Sequence, residues 1–90
     1  MTKKEMKSKL AYELYQLKEY GYELDEDIKK AIGEGDKTDL AMYKRWKTKN
    51  GVAIRQTKKI AEMFGVKEMD LENAAFDIAV ERATAQLKQA

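Results

Sequence analysis

The chain contains no cysteine, no histidine and no proline among its 90 residues. Without cysteine, neither a disulfide nor a thiolate metal site can hold the fold together. Without histidine, the chain lacks the commonest metal ligand and the commonest general base. Because a sheet protein of this length would usually place several prolines in its turns, their absence favours helices joined by glycine and asparagine. We therefore expect an all-α protein.

Long apolar runs are also missing. No stretch approaches the ~18 apolar residues that a membrane helix requires, and no apolar segment of a secretory signal follows the basic start MTKKEMKSKL. With 43% apolar and 38% charged residues, the composition is that of a soluble globular protein, and a chain this short has room for one core. We expect a single cytosolic helical domain over residues 1–90.

Apolar spacing and glycine positions predict a compact bundle of four to five short helices. The expected segments before the last helix are Thr2–Tyr20, a short helix within 22–35, a third within 36–51, and Ala53–Phe64. Three end signals separate them: Gly21, the pair Asn50-Gly51, and Gly65. Each suits the left-handed position that follows a helix. Thr38 is the expected N-cap of the third segment.

Leu40, Tyr43 and Trp46 recur every three residues and predict the apolar side of the third helix. Trp46 beside Tyr43 could stack on a nucleic-acid base. Because its spacing continues an apolar stripe, we interpret Trp46 instead as a core anchor whose indole N–H reaches the surface.

The last helix, expected from about Asp70 to Lys88, carries one continuous polar stripe with spacings of three or four residues. The stripe consists of Asp70, Asn73, Asp77, Glu81, Thr84 and Lys88. Much of the remaining circumference is apolar, and a helix of that kind must be buried on several sides. We expect it to be the mostly buried central helix of the bundle. The alternative is that it also forms a homodimer seam with a second chain.

The segment QTKKIAEMFGVKEMDLENA, residues 56–74, combines an apolar residue and an alanine in one helix with a glycine at the turn and two apolar residues beyond it. These positions are Ile60, Ala61, Gly65, Val66 and Leu71. The small alanine permits a close helix crossing, and the glycine can adopt a left-handed turn. The segment resembles the helix-turn-helix of phage-repressor and Cro-type regulators. That resemblance implies a helix-turn-helix corner, DNA binding and a role in transcription regulation.

Charge is strongly segregated along the chain although the net charge is only +2. Residues 37–59 contain eight basic residues and one acid, a net of +7, whereas residues 19–36 contain seven acids and two lysines. The helix after Gly65 begins with mostly acidic residues, and carboxylates repel phosphate. The basic block is therefore the better candidate for holding a nucleic-acid backbone. The expected contacts are Lys44, Arg45, Lys47, Lys49, Arg55, Lys58 and Lys59.

The alternative for this block is that its lysines only solvate a helix and pair with the acidic residues 19–36. We favour nucleic acid, with DNA as the expected partner. The chain would then be a small cytosolic regulator or accessory factor of a phage or mobile element.

A second function stays open. Four of the five tyrosines lie between Tyr12 and Tyr22, next to the acids of residues 19–27, and tyrosine-rich helix surfaces are common in protein interfaces. The tyrosine and acidic face of residues 12–27 would suit a non-enzymatic inhibitor or immunity-type protein. Catalysis has little support, because GEGDKTD (33–39) lacks the spacing of a phosphate-binding loop. We expect no enzyme, no cofactor and no metal ion.

Overall fold

A computed structural model describes residues 1–89 as three α-helices. They are α1 (Lys3–Glu34), α2 (Lys37–Met63) and α3 (Glu68–Gln89). No strand occurs in the described range, so the all-α class is confirmed. The helices number three instead of four or five, because the first two expected segments form one continuous α1 and the next two form one continuous α2.

The chain reverses direction between α1 and α2. Gly35 has a φ of 69°, a left-handed conformation that glycine adopts without a Cβ clash. The backbone N–H groups of Gly35 and Asp36 donate to carbonyls in the last turn of α1 at 3.2 and 3.0 Å. The Asp36 side chain then accepts a hydrogen bond from the Asp39 N–H at 3.0 Å. Asp36, and not Thr38, is therefore the N-cap of α2, and the short link makes α1 and α2 an antiparallel hairpin.

Two of the expected helix ends are wrong. Gly21 lies inside α1, and Asn50 and Gly51 lie inside α2. Gly21 and Asn50 are buried against each other where the two helices cross. The Asn50 side chain donates a hydrogen bond from Nδ2 to the carbonyl oxygen of Leu17 at 2.9 Å, which satisfies this buried amide. The absence of a side chain at Gly21 therefore serves a close helix approach and not a helix end.

The core lies where α3 crosses the hairpin. Its buried members are Leu10, Ala11, Leu14, Ala61, Val66, Leu71 and Ala75. All three helices and the turn after α2 contribute to it. Alanine from each helix is 3% exposed or less, so the backbones approach closely around the fully buried Leu14 and Leu71.

α3 is mostly exposed, so the prediction of a mostly buried central helix is wrong. Only Leu71 and Ala75 are buried in it, and every residue from Val80 to Gln89 is exposed. The two long helices bury their facing sides against each other, and α3 packs mainly against α1 and only slightly against α2. The molecule is correspondingly flat, with extents of 48 × 36 × 19 Å.

Candidate nucleic-acid interface

The outward side of α2 carries a group of exposed cations. α2 turns its buried residues Asn50, Thr57 and Ala61 toward α1 and the core. Five cations fall within an arc of about 140° on the opposite side, at about 100° per residue. This basic face consists of Lys44, Arg45, Lys49, Arg55 and Lys59, all of them exposed. At about 1.5 Å per residue the face is about 22 Å long.

No acid interrupts the basic face. α2 has no acidic residue between Asp39 and Glu62. None of the five cations forms an ion pair with any residue of the described chain. Like charges at neighbouring helical positions repel one another, so their concentration here has an electrostatic cost that a bound polyanion would relieve.

Two further side chains share this side of α2 and were not among the predicted contacts. Lys37 and Gln56 are exposed and lie on the same side by helical spacing. Lys37 was not predicted because Thr38 was the expected N-cap, which placed Lys37 before the helix, and Gln56 was not predicted because it carries no charge. Because α2 is continuous, residues from the expected third and fourth helices lie on the same side of one helix.

Lys47 lies at the helix crossing, away from the basic face. Its Nζ is 3.0 Å from Oδ1 of Asp25 and donates to the carbonyl oxygen of Gly21 at 3.2 Å. The Lys47 and Asp25 side chains are 40% and 47% exposed, so this ion pair is weak. Lys47 contributes to the contact between α1 and α2, and its charge is balanced by the acidic segment of α1.

Lys58 is balanced as well. Its Nζ donates to Oε1 of Glu68 at 3.0 Å and lies 2.7 Å from Oε1 of Glu72. Lys18 of α1 donates to the other carboxylate oxygen of Glu72. Of the seven predicted contacts, Lys47 and Lys58 are therefore ion-paired, and the other five form the basic face.

The pKa values of this cluster follow from its hydrogen bonds. The hydrogen bond to Glu72, followed by the one to Glu68, raises the pKa of Lys58. Burial acts to raise the pKa of Glu72, but the hydrogen bonds from Lys18 and Lys58 outweigh burial and lower it. One carboxylate of α3 thus connects a lysine of α1 with a lysine of α2.

An open groove of about 640 Å³ separates the end of α2 from the start of α3. Arg55 and Lys59 of the basic face line it, together with Lys67. Glu62 and Glu68 also line it and reduce its positive potential. The groove continues the basic face toward the turn that links the two helices.

The turn between α2 and α3 and the helix ends beside it contain the five residues on which the helix-turn-helix resemblance rests, and that resemblance stays a prediction. Gly65 has a φ of 77°. Ala61, Val66 and Leu71 are buried, at 3% exposure or less. Ile60 is 43% exposed and does not join the core.

Trp46 is not the core anchor that its spacing predicted. It is 38% exposed, and its ring lies 5.8 Å from the Tyr43 ring in an edge-on arrangement. It borders a shallow hollow together with Tyr20 and Lys49. Base stacking by Trp46 stays a prediction.

The predicted tyrosine and acidic face divides into two parts. Arg82 of α3 donates a hydrogen bond from Nη2 to the Tyr12 hydroxyl at 3.0 Å. Its guanidinium carbon lies 5.2 and 5.4 Å from the ring centroids of Tyr12 and Tyr15, so these two rings hold α3 against α1. Tyr22, which is 62% exposed, stays open beside the exposed Glu19.

Comparison with protein-family models, with curated proteins and with solved structures finds no match to this chain. Within residues 1–89, no helix combines the length and the apolar character that crossing a membrane requires. In the same range, no group of three or more acidic side chains is placed to hold a metal ion.

Proposed function

We propose that this protein is a non-enzymatic nucleic-acid-binding protein that holds the phosphate backbone with the basic face of α2. The observation that carries the proposal is the set of five exposed cations on one helix face, none paired within the described chain. Phosphates follow one another every ~3.4 Å along each strand of duplex DNA. A face about 22 Å long therefore lies against several phosphates at once.

Contacts of this type position a protein on nucleic acid without reading its sequence. The proposed surface is α2 and not the start of α3, because the exposed Glu68 and Asp70 would present carboxylates to the phosphates. DNA is the partner that we favour. A regulator or accessory factor of a phage or mobile element is the narrower form of the proposal, supported by the helix-turn-helix resemblance of residues 56–74.

The direct experiment is a titration of a labelled generic duplex at two salt concentrations. Five phosphate contacts give a log–log salt slope of about −4.5, so the affinity should fall roughly 500-fold between about 50 and 200 mM salt. The double substitution Arg55→Glu/Lys59→Glu should abolish binding while the helical circular dichroism signal persists, because both side chains are exposed.

The matched control is Lys29→Glu/Lys30→Glu on α1. These lysines are also exposed, and the substitution changes the net charge by the same amount. The control should keep most of the affinity. A parent protein that fails to bind at about 50 mM salt, or a control that binds as poorly as the Arg55/Lys59 variant, contradicts the proposal.

A second candidate function is a protein-binding module, favoured by the exposure of Tyr22 at 62%. Tyr22, Glu19 and Glu26 share one side of α1 by helical spacing, and such a surface would suit a basic protein partner. Two results would support this candidate. The parent protein would bind no duplex but would retain one protein from a lysate, and the Tyr22→Ser variant would no longer retain that protein.

A further inference from the structure

The outward side of α3 carries a stripe that is apolar apart from Asn73, at the edge of the polar stripe, and that no other described part of the chain covers. Its members are Met69, Asn73, Phe76, Val80, Ala83 and Leu87, at spacings of four, three, four, three and four. The large apolar members Met69, Phe76, Val80 and Leu87 are 74%, 67%, 47% and 78% exposed. Single exposed apolar residues need no explanation, but a continuous stripe with this period is the pattern of a helix that pairs with another helix.

The hairpin cannot cover this stripe. The side of α3 that faces the core carries Leu71 and Ala75, which lie roughly opposite the stripe by helical position. Beyond Val80, all residues up to Gln89 are exposed. The C-terminal half of α3 thus keeps its apolar side chains although the core does not use them.

We propose that α3 pairs with α3 of a second copy of this chain in an antiparallel homodimer. The stripe complements itself in this arrangement. Met69 meets Leu87 of the second copy, Asn73 meets Ala83, and Phe76 meets Val80. The two-fold axis repeats the same three layers, so every member of the stripe has a partner. The dimer does not depend on nucleic-acid binding.

The charges of α3 favour the antiparallel direction. Its first ten residues contain the acids Glu68, Asp70, Glu72 and Asp77, whereas its second half contains Arg82, Lys88 and the single acid Glu81. A parallel pair would bring the two acidic halves together, which is unfavourable. An antiparallel pair separates the two acidic halves, places Asp70 of one copy near Lys88 of the other, and also opposes the helix dipoles. Like-charge contacts are left near the axis, where Asp77 of one copy lies beside both Asp77 and Glu81 of the other.

The available area fits a weak dimer. An aromatic side chain such as that of Phe76 offers roughly 150–250 Å² and the aliphatic members offer less, so the exposed part of the stripe amounts to at most about 500 Å² per chain. Tyr22 of α1 lines the same hollow as Phe76 and Ala79 and adds to this area. Because stable interfaces bury about 800 Å² per partner, we expect a weak dimer with a dissociation constant between about 1 µM and about 1 mM.

Sedimentation of the full chain from about 1 µM to about 1 mM tests the dimer. The parent should change from monomer to dimer within this range. Leu87→Glu should weaken the dimer at least about a hundredfold, because each dimer contains the buried charge twice. The matched control is Ala85→Glu, which adds the same charge two residues away at an exposed position outside the stripe. The control should dimerise like the parent, and both variants should stay helical.

The direction of pairing can be tested by cross-linking, because the chain has no cysteine of its own. In the antiparallel dimer, a mixture of Met69→Cys chains and Leu87→Cys chains should give a mixed product with a short thiol cross-linker. Each variant alone should give little product, because residue 69 and its counterpart are about 27 Å apart along the pair. Efficient cross-linking of either variant with itself would overturn the antiparallel arrangement. A parent that is monomeric at the highest concentration, or an Ala85→Glu variant as disruptive as Leu87→Glu, would overturn the dimer.

Discussion

Gly21 of α1 faces Asn50 of α2 so closely that a Cβ atom at position 21 would lie 2.9 Å from Oδ1 of Asn50. It would also lie 3.3 Å from Nζ of Lys47. Asn50 is 5% exposed and already donates to Leu17, so it has little room to move. The helix crossing therefore favours glycine at position 21.

Gly21→Ala should destabilise the protein by up to about 2 kcal/mol. Alanine has a higher helix propensity by about 1 kcal/mol, but forcing a methyl group into a packed contact costs about 1–3 kcal/mol. Gly33→Ala is the matched control, since Gly33 is also inside α1 and a Cβ there meets nothing within 4 Å. It should stabilise by roughly 0.5–1 kcal/mol. Urea unfolding of both variants measures the two effects.

The double substitution Gly21→Ala/Asn50→Ala separates the collision from other effects. Removing the Asn50 side chain makes room for the new methyl group, so the two substitutions should cost less together than the sum of the single ones. Additive free energies of unfolding would show that the Gly21–Asn50 contact is not the reason for glycine at this position.

The same two residues explain why the sequence did not predict the helix number. Gly21 and Asn50-Gly51 carry the local signal of a helix end, and the signal is the same where two helices cross closely. The difference lies in which residue faces each glycine across the hairpin, and local patterns do not contain that information. Gly65 was predicted correctly because the apolar spacing changes at the same point as the turn signal.

The same limit of local sequence patterns, which do not show what lies opposite a residue, applies to the basic face and to α3. Helical spacing alone placed Arg55 and Lys59 on one face. Lys47 and Lys58 could not be separated from the basic face by sequence, because Asp25 and Glu72, which bind them, lie on other helices. For α3, the apolar pattern predicted a helix that is buried on several sides. The pattern does not distinguish burial within this chain from burial against a second chain.

Glu72 joins the three helices, and its removal should change the pH dependence of stability. Its pKa is lowered from an ordinary 4.5, so its contribution is complete above pH 4.5 and is lost as the pH falls through the lower folded pKa. The pKa of Lys58 is raised from 10.5. Its contribution is complete below pH 10.5 and is lost as the pH rises through the higher folded pKa.

Glu72→Gln should therefore cost about 1 kcal/mol at pH 7, an amount limited by side chains that are a quarter to a third exposed. The difference from the parent should narrow in strong acid. Chemical unfolding at neutral and acidic pH measures it, with Glu26→Gln as control, because the Glu26–Lys29 pair is 75% and 73% exposed. An unchanged difference at low pH would mean that the carboxylate charge is not what stabilises the contact.

Lys47 and Lys49 lie two residues apart on α2, and we expect their substitution to affect different properties: stability for Lys47 and duplex binding for Lys49. Lys49 belongs to the basic face, so Lys49→Ala should reduce the magnitude of the salt slope of duplex binding by about 0.9. Lys47 binds Asp25 and the Gly21 carbonyl, so Lys47→Ala should lower stability and leave the slope unchanged. Duplex titrations at several salt concentrations, together with urea unfolding, separate the two. Equal loss of slope in both variants would place Lys47 in the interface as well.

Among the described residues of α3, Arg82 is the last whose side chain forms a hydrogen bond or a cation–π contact with α1. We therefore expect Arg82 to determine how firmly the C-terminal half of α3 is attached to α1. It bonds to the Tyr12 hydroxyl and lies over two aromatic rings. At an exposed site such a cation–π contact is worth about 0.5–1 kcal/mol. Arg82→Ala should therefore speed amide hydrogen exchange in residues 79–86 severalfold, and exchange near Leu71 should be unchanged because the core still holds it.

The Arg82 experiment needs dilute protein, so that pairing between two copies of α3 does not protect the same amides. Tyr12→Phe is the matched variant, because it removes the hydroxyl acceptor and keeps the aromatic ring. It should give a smaller effect than Arg82→Ala if the guanidinium acts mainly through the rings. If both variants accelerate exchange equally, the hydrogen bond at 3.0 Å provides the attachment and the stacked geometry adds nothing measurable.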